Sequence, residues 1–338
     1  MMLALKKPEL VCPAGGLPAL KAAVDAGADA VYVGLRNSTN ARNFAGLNFD
    51  QRGLDQAVDY AHKKGARVLV AINTYPQAGR EHEWHQTIDM AAASGVDALI
   101  MADISLMAYA KEHYPHIARH LSVQGSATNY EAIRFYQEQF GIKRVIIPRV
   151  LTLAQVAHLI DNTAVEVEVF GFGSLCVMNE GRCWLSSYVT GESPNTVGAC
   201  SPAKFVRWEK TPKSLEARLN NLLMDQFFDD EKAGYPTICK GRFIVNNQTY
   251  YAIEEPTSLN VLDVLPEMIN IGVAGIKVEG RQRSPAYVSQ VTKVMRSAID
   301  AAFNQGKTYQ PKAEWHQVLS KLSEGQQHTL GAYNRPWR

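Results

Sequence analysis

The sequence predicts a closed (β/α)8 barrel, TIM-like, with a cysteine-rich insertion after its seventh strand. Three observations carry that expectation. A helical stretch that ends at glycine, followed by a short β-branched run, recurs as "AAVDAGADAVYVGL", "AHKKGARVLVAIN", "AAASGVDALIMAD", "EQFGIKRVIIPRV" and "INIGVAGIKVEGR". Three further runs, "LVCPAG", "LSVQGSAT" and "VEVEVFGFG", bring the strands to eight, with helical patterns between them. The regular spacing breaks once, after the seventh strand, and that break holds four of the five cysteines.

The strands are expected to start near Leu10, Ala30, Arg67, Ala98, Leu121, Arg144, Val165 and Gly275. Most of these runs are apolar and rich in Val and Ile, as strands buried on both faces should be. Gly27, Gly65, Gly95, Gly141 and Gly272 fall where a helix ends in a left-handed residue. A doubly wound open sheet is the alternative. Its dinucleotide loop would be "GFGSLC", which follows the seventh strand instead of the first and so argues against it. The barrel is expected to span 1–305 and to include an insertion at 174–256, with 306–338 as a C-terminal tail packed on it. A structureless segment of that length would count against the assignment. However, "GRFIVNNQTYYAIEE" reads as a hairpin turning at Asn246 and Asn247, and a helix is expected to open at "PTSLN". The insertion then lies on the C-terminal face of the barrel, where active sites of this fold sit.

The chain has 338 residues, 46% hydrophobic and 20% charged, which suits a globular protein with a large core. Its 35 basic and 33 acidic residues leave a net charge of +2, so no broad nucleic-acid footprint is expected. No apolar run is long enough to span a membrane. The opening "MMLALKKPEL" does not read as a signal peptide, and a cytoplasmic location is expected. There, clustered cysteines more often bind metal or act in redox chemistry than form disulfides.

Cys176, Cys183, Cys200 and Cys239 follow the spacing Cys-x6-Cys-x16-Cys-x38-Cys. The paired knuckles of structural zinc sites are missing, and iron–sulfur spacings vary more, but spacing alone leaves iron–sulfur, zinc and unrelated buried thiols open. Gly181, Gly198 and Gly241 flank the set, either to let amides approach sulfur or as ordinary turn residues. Cys12 stands apart on the first strand and reads as a small buried hydrophobe.

"CPAGGLPALKAAVDAGADAVYVGL", "NARNFAGLNF", "FGSLCVMNEGRCWLSSYVTGESPNTVGACSPAKFVRW", "EEPTSLN" and "KVEGRQRSPAYVSQVTKV" resemble the collagenase-like peptidase family over nearly the whole chain. Within it they are similar to members of ubiquinone biosynthesis. The resemblance implies that Cys176, Cys183, Cys200 and Cys239 hold a [4Fe–4S] cluster. It also implies oxygen-independent hydroxylation of the ubiquinone precursor ring under anaerobic conditions. The partners it implies are a UbiV-like barrel subunit in a heterodimer, a UbiT-like lipid-binding accessory protein, a hydrophobic quinone precursor, and prephenate as hydroxyl donor. The alternative is oxygen-independent hydroxylation of an RNA base, which the same family contains.

The family label also invites a peptidase reading. "EHEWHQ", with His82, Glu83 and His85, is one residue short of a His-Glu-x-x-His zinc motif, and a Gly-x-Ser-x-Gly elbow is missing. At the strand ends, Asn73, Gln124, Ser126 and Arg149 are candidate substrate-binding residues. Lys277, Glu279 and Arg281 alternate along strand eight, so they point to one side and are candidate catalytic residues. A structural pairing inside the barrel, Glu279 with Arg149, is the other reading. Ser284 is a helix N-cap with Pro285 in the first turn, and with Arg281 and Arg283 it would form an anion site suited to a dicarboxylate.

Overall fold

The structure, a computed structural model, describes residues 5–41, 43–44, 46–176, 183–194, 199–231 and 233–334. Seven parallel strands come first: β1 (Glu9–Pro13), β2 (Ala30–Gly34), β3 (Arg67–Ile72), β4 (Ala98–Met101), β5 (Ala118–Leu121), β6 (Arg144–Ile146) and β7 (Glu166–Ser174). Six helices alternate with them: α1 (Leu17–Asp25), α2 (Gln51–Lys63), α3 (Glu81–Ala93), α4 (Ile104–His113), α5 (Tyr130–Phe140) and α6 (Leu153–Asp161). Side chains of Asp50, Asp103, Asn129 and Thr152 accept from the first-turn amides of α2, α4, α5 and α6. All five predicted glycines have positive φ, between 64° and 97°.

The insertion opens with α7 (Trp184–Thr190). A three-stranded antiparallel sheet follows, of β8 (Val206–Lys210), β9 (Leu215–Leu219) and β10 (Leu222–Phe227). The predicted hairpin is β11 (Arg242–Val245) and β12 (Gln248–Tyr251), with Asn246 and Asn247 at φ 50° and 61° in its turn. The chain returns through β13 (Thr257–Asn260), then α8 (Leu265–Asn270), β14 (Gly275–Val278) and α9 (Pro285–Gln305). The tail adds α10 (Ala313–Leu322) and β15 (Gln327–Thr329). Each of β1 to β6 pairs in parallel with the next, and β14 pairs in parallel with both β7 and β1, which closes an eight-stranded barrel.

Three local expectations are corrected. The fifth strand ends at Leu121, where it was expected to begin. Its run "ARHL" hides from a hydrophobicity reading, because Arg119 turns outward to the carbonyls of Phe140 and Ile117 while His120 is buried. "PTSLN" forms β13 instead of a helix start: Ser258 to Asn260 pair antiparallel with Phe172 to Ser174, where β7 runs past the barrel rim. The β8–β10 sheet was not anticipated at all.

Two hydrophobic cores result. The larger one joins the barrel strands to their helices. A small one of Leu219, Met224 and Ile238, flanked by Leu185, Val189 and Phe243, holds the insertion together. The tail lies closer than a surface strap. Trp315, Leu319 and Tyr333 are buried, β15 pairs with β13, and the Tyr333 hydroxyl donates to the Phe170 carbonyl on β7 at 2.8 Å. Among the described residues, no helix is long and apolar enough to cross a membrane.

Candidate functional site

The barrel interior is ionic. Glu9 on β1 pairs with Arg144 on β6 at 2.7 Å, and two other strands separate these in the sheet, so the contact crosses the interior. Alternation along β7 puts Glu166 and Glu168 on the same face. Glu168 is fully buried and accepts from Lys277 at 2.9 Å and from Arg144 at 3.2 Å. Burial pushes the Glu168 carboxyl up, and the Lys277 and Arg144 cations outweigh it and hold the group below its usual range. Lys277 also stands 3.8 Å from the ring centre of Tyr32. His120 shares this layer. Its pKa is pushed down to about 3 by burial, with Arg144 adding to the effect, so it is neutral.

Above this layer lie the C-terminal ends of the strands. Arg149 pairs with Glu279, as the structural reading of the sequence anticipated, and its guanidinium sits 3.7 Å over the Phe170 ring. Arg281 is buried and donates to the Asn40 side-chain carbonyl at 2.9 Å. Glycines make room for it. A Cβ on Gly34 would come within 2.2 Å of the Arg281 Nη1, and one on Gly15 within 2.0 Å of the Arg281 carbonyl oxygen. "CPAGG" is thus shaped partly by Arg281. The expected alternation along strand eight is corrected: β14 ends at Val278, so only Lys277 lies on it, and Glu279 and Arg281 stand past its end, all three buried.

Asn73 donates to the Ser122 hydroxyl at 3.1 Å and accepts from the Ala41 amide at 3.0 Å, which fixes the loop after β2 across the mouth. Gln124 lies on a single 3-10 turn past β5 and is buried. Among the described residues its side-chain oxygen meets no hydrogen-bond donor. Ser126 ends that turn with φ 52°. Ser284 caps α9 by accepting from the Tyr287 amide at 3.2 Å, with Pro285 in the first turn as expected. Arg283 turns away from Arg281, toward Glu324 at 3.6 Å and the Tyr287 ring.

The insertion rises from this mouth. Cys183 caps α7, its sulfur accepting from the Ser186 amide at 3.4 Å, while the Ser186 hydroxyl donates to the Cys200 carbonyl. The Tyr235 hydroxyl donates to the Ser201 carbonyl at 2.9 Å, and the Glu254 amide to the Cys239 carbonyl at 3.0 Å. Three cysteine segments are thereby laced together. Burial raises the Cys183 thiol, and it pushes Cys239 up to about 11. Cys200 acts on both in the same direction. Cys176 lies two residues past the end of β7. Among the described residues, no group of three or more His, Cys, Asp or Glu side chains is placed to hold a metal ion as it stands. The donor set nevertheless fits one chemically: soft sulfur ligands, half-buried, with the Lys240 cation acting on Cys239. Gly181 and Gly198 lie outside the described residues. Gly241 has a packing reason, since a Cβ there would meet the Met224 carbonyl at 2.5 Å. Cys12 is buried core, as expected, and the Thr292 hydroxyl donates to its sulfur at 3.2 Å.

The near-zinc string does not form a site. Glu83 is bound by Arg80 at 2.6 Å on α3, and His85 stacks on Tyr109. The sequence reading missed Glu168, His120, Asn40 and Glu324. Only Glu168 left a signal, the Glu–Val alternation of "VEVEVF".

A family model described as peptidase family U32 matches residues 15–335. The tRNA hydroxylation protein P of Escherichia coli (strain K12) is 32% identical over 319 residues, covering 88% of this chain and 68% of that protein. The tRNA hydroxylation protein P2 of Bacillus subtilis (strain 168) is 26% identical over 322 residues and 94% of each chain. A protein named collagenase from Porphyromonas gingivalis is 28% identical over 325 residues, 93% of this chain and 70% of its own. A solved U32 peptidase superposes with a TM-score of 0.42 at 14% identity, over 51% of this chain and 71% of that one. The barrel assignment itself rests on the strand pairing.

Proposed function

We propose that this chain, which belongs to peptidase family U32, is the iron–sulfur subunit of a hydroxylase that works without molecular oxygen. The observation that carries the reading is the lacing of the half-buried Cys183, Cys200 and Cys239 segments in the insertion that follows β7. Cys176, Cys183, Cys200 and Cys239 would hold a [4Fe–4S] cluster, which supplies electron transfer or a Lewis-acidic iron when bound. The chain's own residues do the positioning. Arg281, held between Asn40 and the Tyr32 ring, presents a planar guanidinium suited to a carboxylate of the hydroxyl donor, for which prephenate is the candidate. Arg149 and Glu279 pair with each other beside it, and Gln124 offers a buried acceptor to a substrate donor.

For the substrate we favour the ubiquinone precursor ring, following the finer resemblance to the ubiquinone-biosynthesis protein UbiU. Two features support it. The net charge of +2 gives little attraction for a polyanion. And of the fourteen exposed large apolar side chains among the described residues, nine lie in the insertion, with Trp184 and Tyr188 of α7 almost fully exposed. Such a surface suits an apolar precursor and a UbiV-like barrel partner. The second reading, hydroxylation of an RNA base, is favoured by the names of the relatives.

A deletion strain grown without oxygen separates the two. Loss of ubiquinone with an unchanged nucleoside profile supports the quinone reading. Missing hydroxylated nucleosides with normal ubiquinone would establish the RNA reading instead. Anaerobically purified protein should contain iron and acid-labile sulfide. Stoichiometric zinc without sulfide would end the cluster reading.

A further inference from the structure

Glu324, in the tail, sits where four distant parts of the chain meet. Its carboxylate accepts from the Ser174 hydroxyl at 2.6 Å and pairs with the Lys240 ammonium. Arg283 stands 3.6 Å from the same carboxylate, and the Glu324 amide donates to the Ser258 hydroxyl at 3.0 Å. The placement of these partners is specific. Ser174 precedes the first cysteine of the set by two residues, and Lys240 directly follows the last. One side chain thus ties the two ends of the set, Cys176 and Cys239, to each other and to the turn after β14.

The backbone around Glu324 is fixed on both sides. The Ser323 hydroxyl lies 2.7 Å from the His328 ring, whose other nitrogen is 3.1 Å from the Asn260 amide group. Gly325 follows with φ 57°, pressed so close to the Pro256 carbonyl that a Cβ would fall 2.2 Å from its oxygen. The Lys240 side chain is only 10% exposed, so its pair with Glu324 is shielded from solvent and less screened than a surface bridge.

We propose that Glu324 is a positioning residue that holds the Cys176 and Cys239 ends of the ligand set in register over the barrel mouth. This rests on the cluster reading above. Residues that orient metal ligands through hydrogen bonds commonly change metal affinity about 10–100-fold when removed.

The test uses full-length protein purified anaerobically, with release of iron to a ferrous chelator followed over time. Glu324→Gln keeps the size and a hydrogen bond to Ser174 but loses the ion pair. It should release iron about tenfold faster, with a shifted electron-paramagnetic spectrum of the reduced cluster. The melting temperature of its metal-free form should match that of the metal-free parent. Lys240→Met should behave alike, and the double variant no worse than either single one. Unchanged release and spectrum in a Glu324→Gln protein that carries a cluster would overturn this inference alone. So would faster release that merely tracks a lowered melting temperature of the metal-free form. A parent protein with no iron or sulfide would instead remove the cluster reading, and this inference with it.

Discussion

Lys277→Met removes one charge from the buried layer of the barrel while keeping the length of the side chain. Glu168 then loses its 2.9 Å partner and keeps only Arg144, and the contact with the Tyr32 ring is lost too. Removing one partner of a buried ion pair costs about 3–5 kcal/mol, because a charge is left without compensation. Unfolding entropy of ~2.1 cal/mol/K per residue gives roughly 0.7 kcal/mol/K for a chain of 338 residues. The melting temperature should therefore fall by about 4–7 °C. Adding Glu168→Gln removes the stranded carboxylate, and Arg144 retains Glu9 and Glu166. The double variant should recover at least half of the loss. Calorimetry of the three variants beside the parent, at neutral pH, measures this. If Lys277→Met melts within about 1 °C of the parent, the ionic layer does not carry the stability assigned to it. Hydroxylation lost with melting unchanged would make Lys277 a residue of the reaction.

Three further outcomes can be checked. His120 is held neutral with a pKa near 3, whereas in the unfolded chain it titrates near 6.5, so only the unfolded state gains a proton as pH falls below 6.5. Its share of stability is intact above that pH and is lost on acidification, by about 1.5–2 kcal/mol between pH 6.5 and 5. Urea titrations of His120→Gln should lack that part of the slope. Gly34→Ala places a methyl group against Arg281 and Asn40. Overpacking of this kind costs about 1–3 kcal/mol, and the product measured in a complemented deletion strain should drop while iron content stays the same. Cys12→Ala should leave iron content unchanged, and an iron loss there would place Cys12 in the ligand set.

The barrel was legible because seven of its strands read as apolar runs and five of them follow a helix-ending glycine, and those two signals are local. Strand five failed on the same criterion, since "ARHL" carries an arginine that turns out to the carbonyls of Phe140 and Ile117 and a histidine buried neutral in the barrel. The β8–β10 sheet is short and half-exposed, so its strands mix charged with apolar residues and gave no buried-strand signal. The Arg149–Glu279 pair could be named from strand-end positions. Arg281 with Asn40 could not, because 241 residues separate them and nothing local marks the partner. The role of Glu324 was hidden for the same reason: four meeting segments leave no trace in any one of them.

The insertion leaves and rejoins the barrel where Ser258 to Asn260 pair antiparallel with Phe172 to Ser174, and it brings a small core of its own. For the barrel it is therefore a loop whose ends are already joined, and doubling the length of such a loop costs only about 0.6 kcal/mol of closure entropy. Its size and surface can drift without loosening the eight strands beneath. A lineage can keep the ionic barrel and exchange the surface of the cap above it, a module that the scaffold hardly registers.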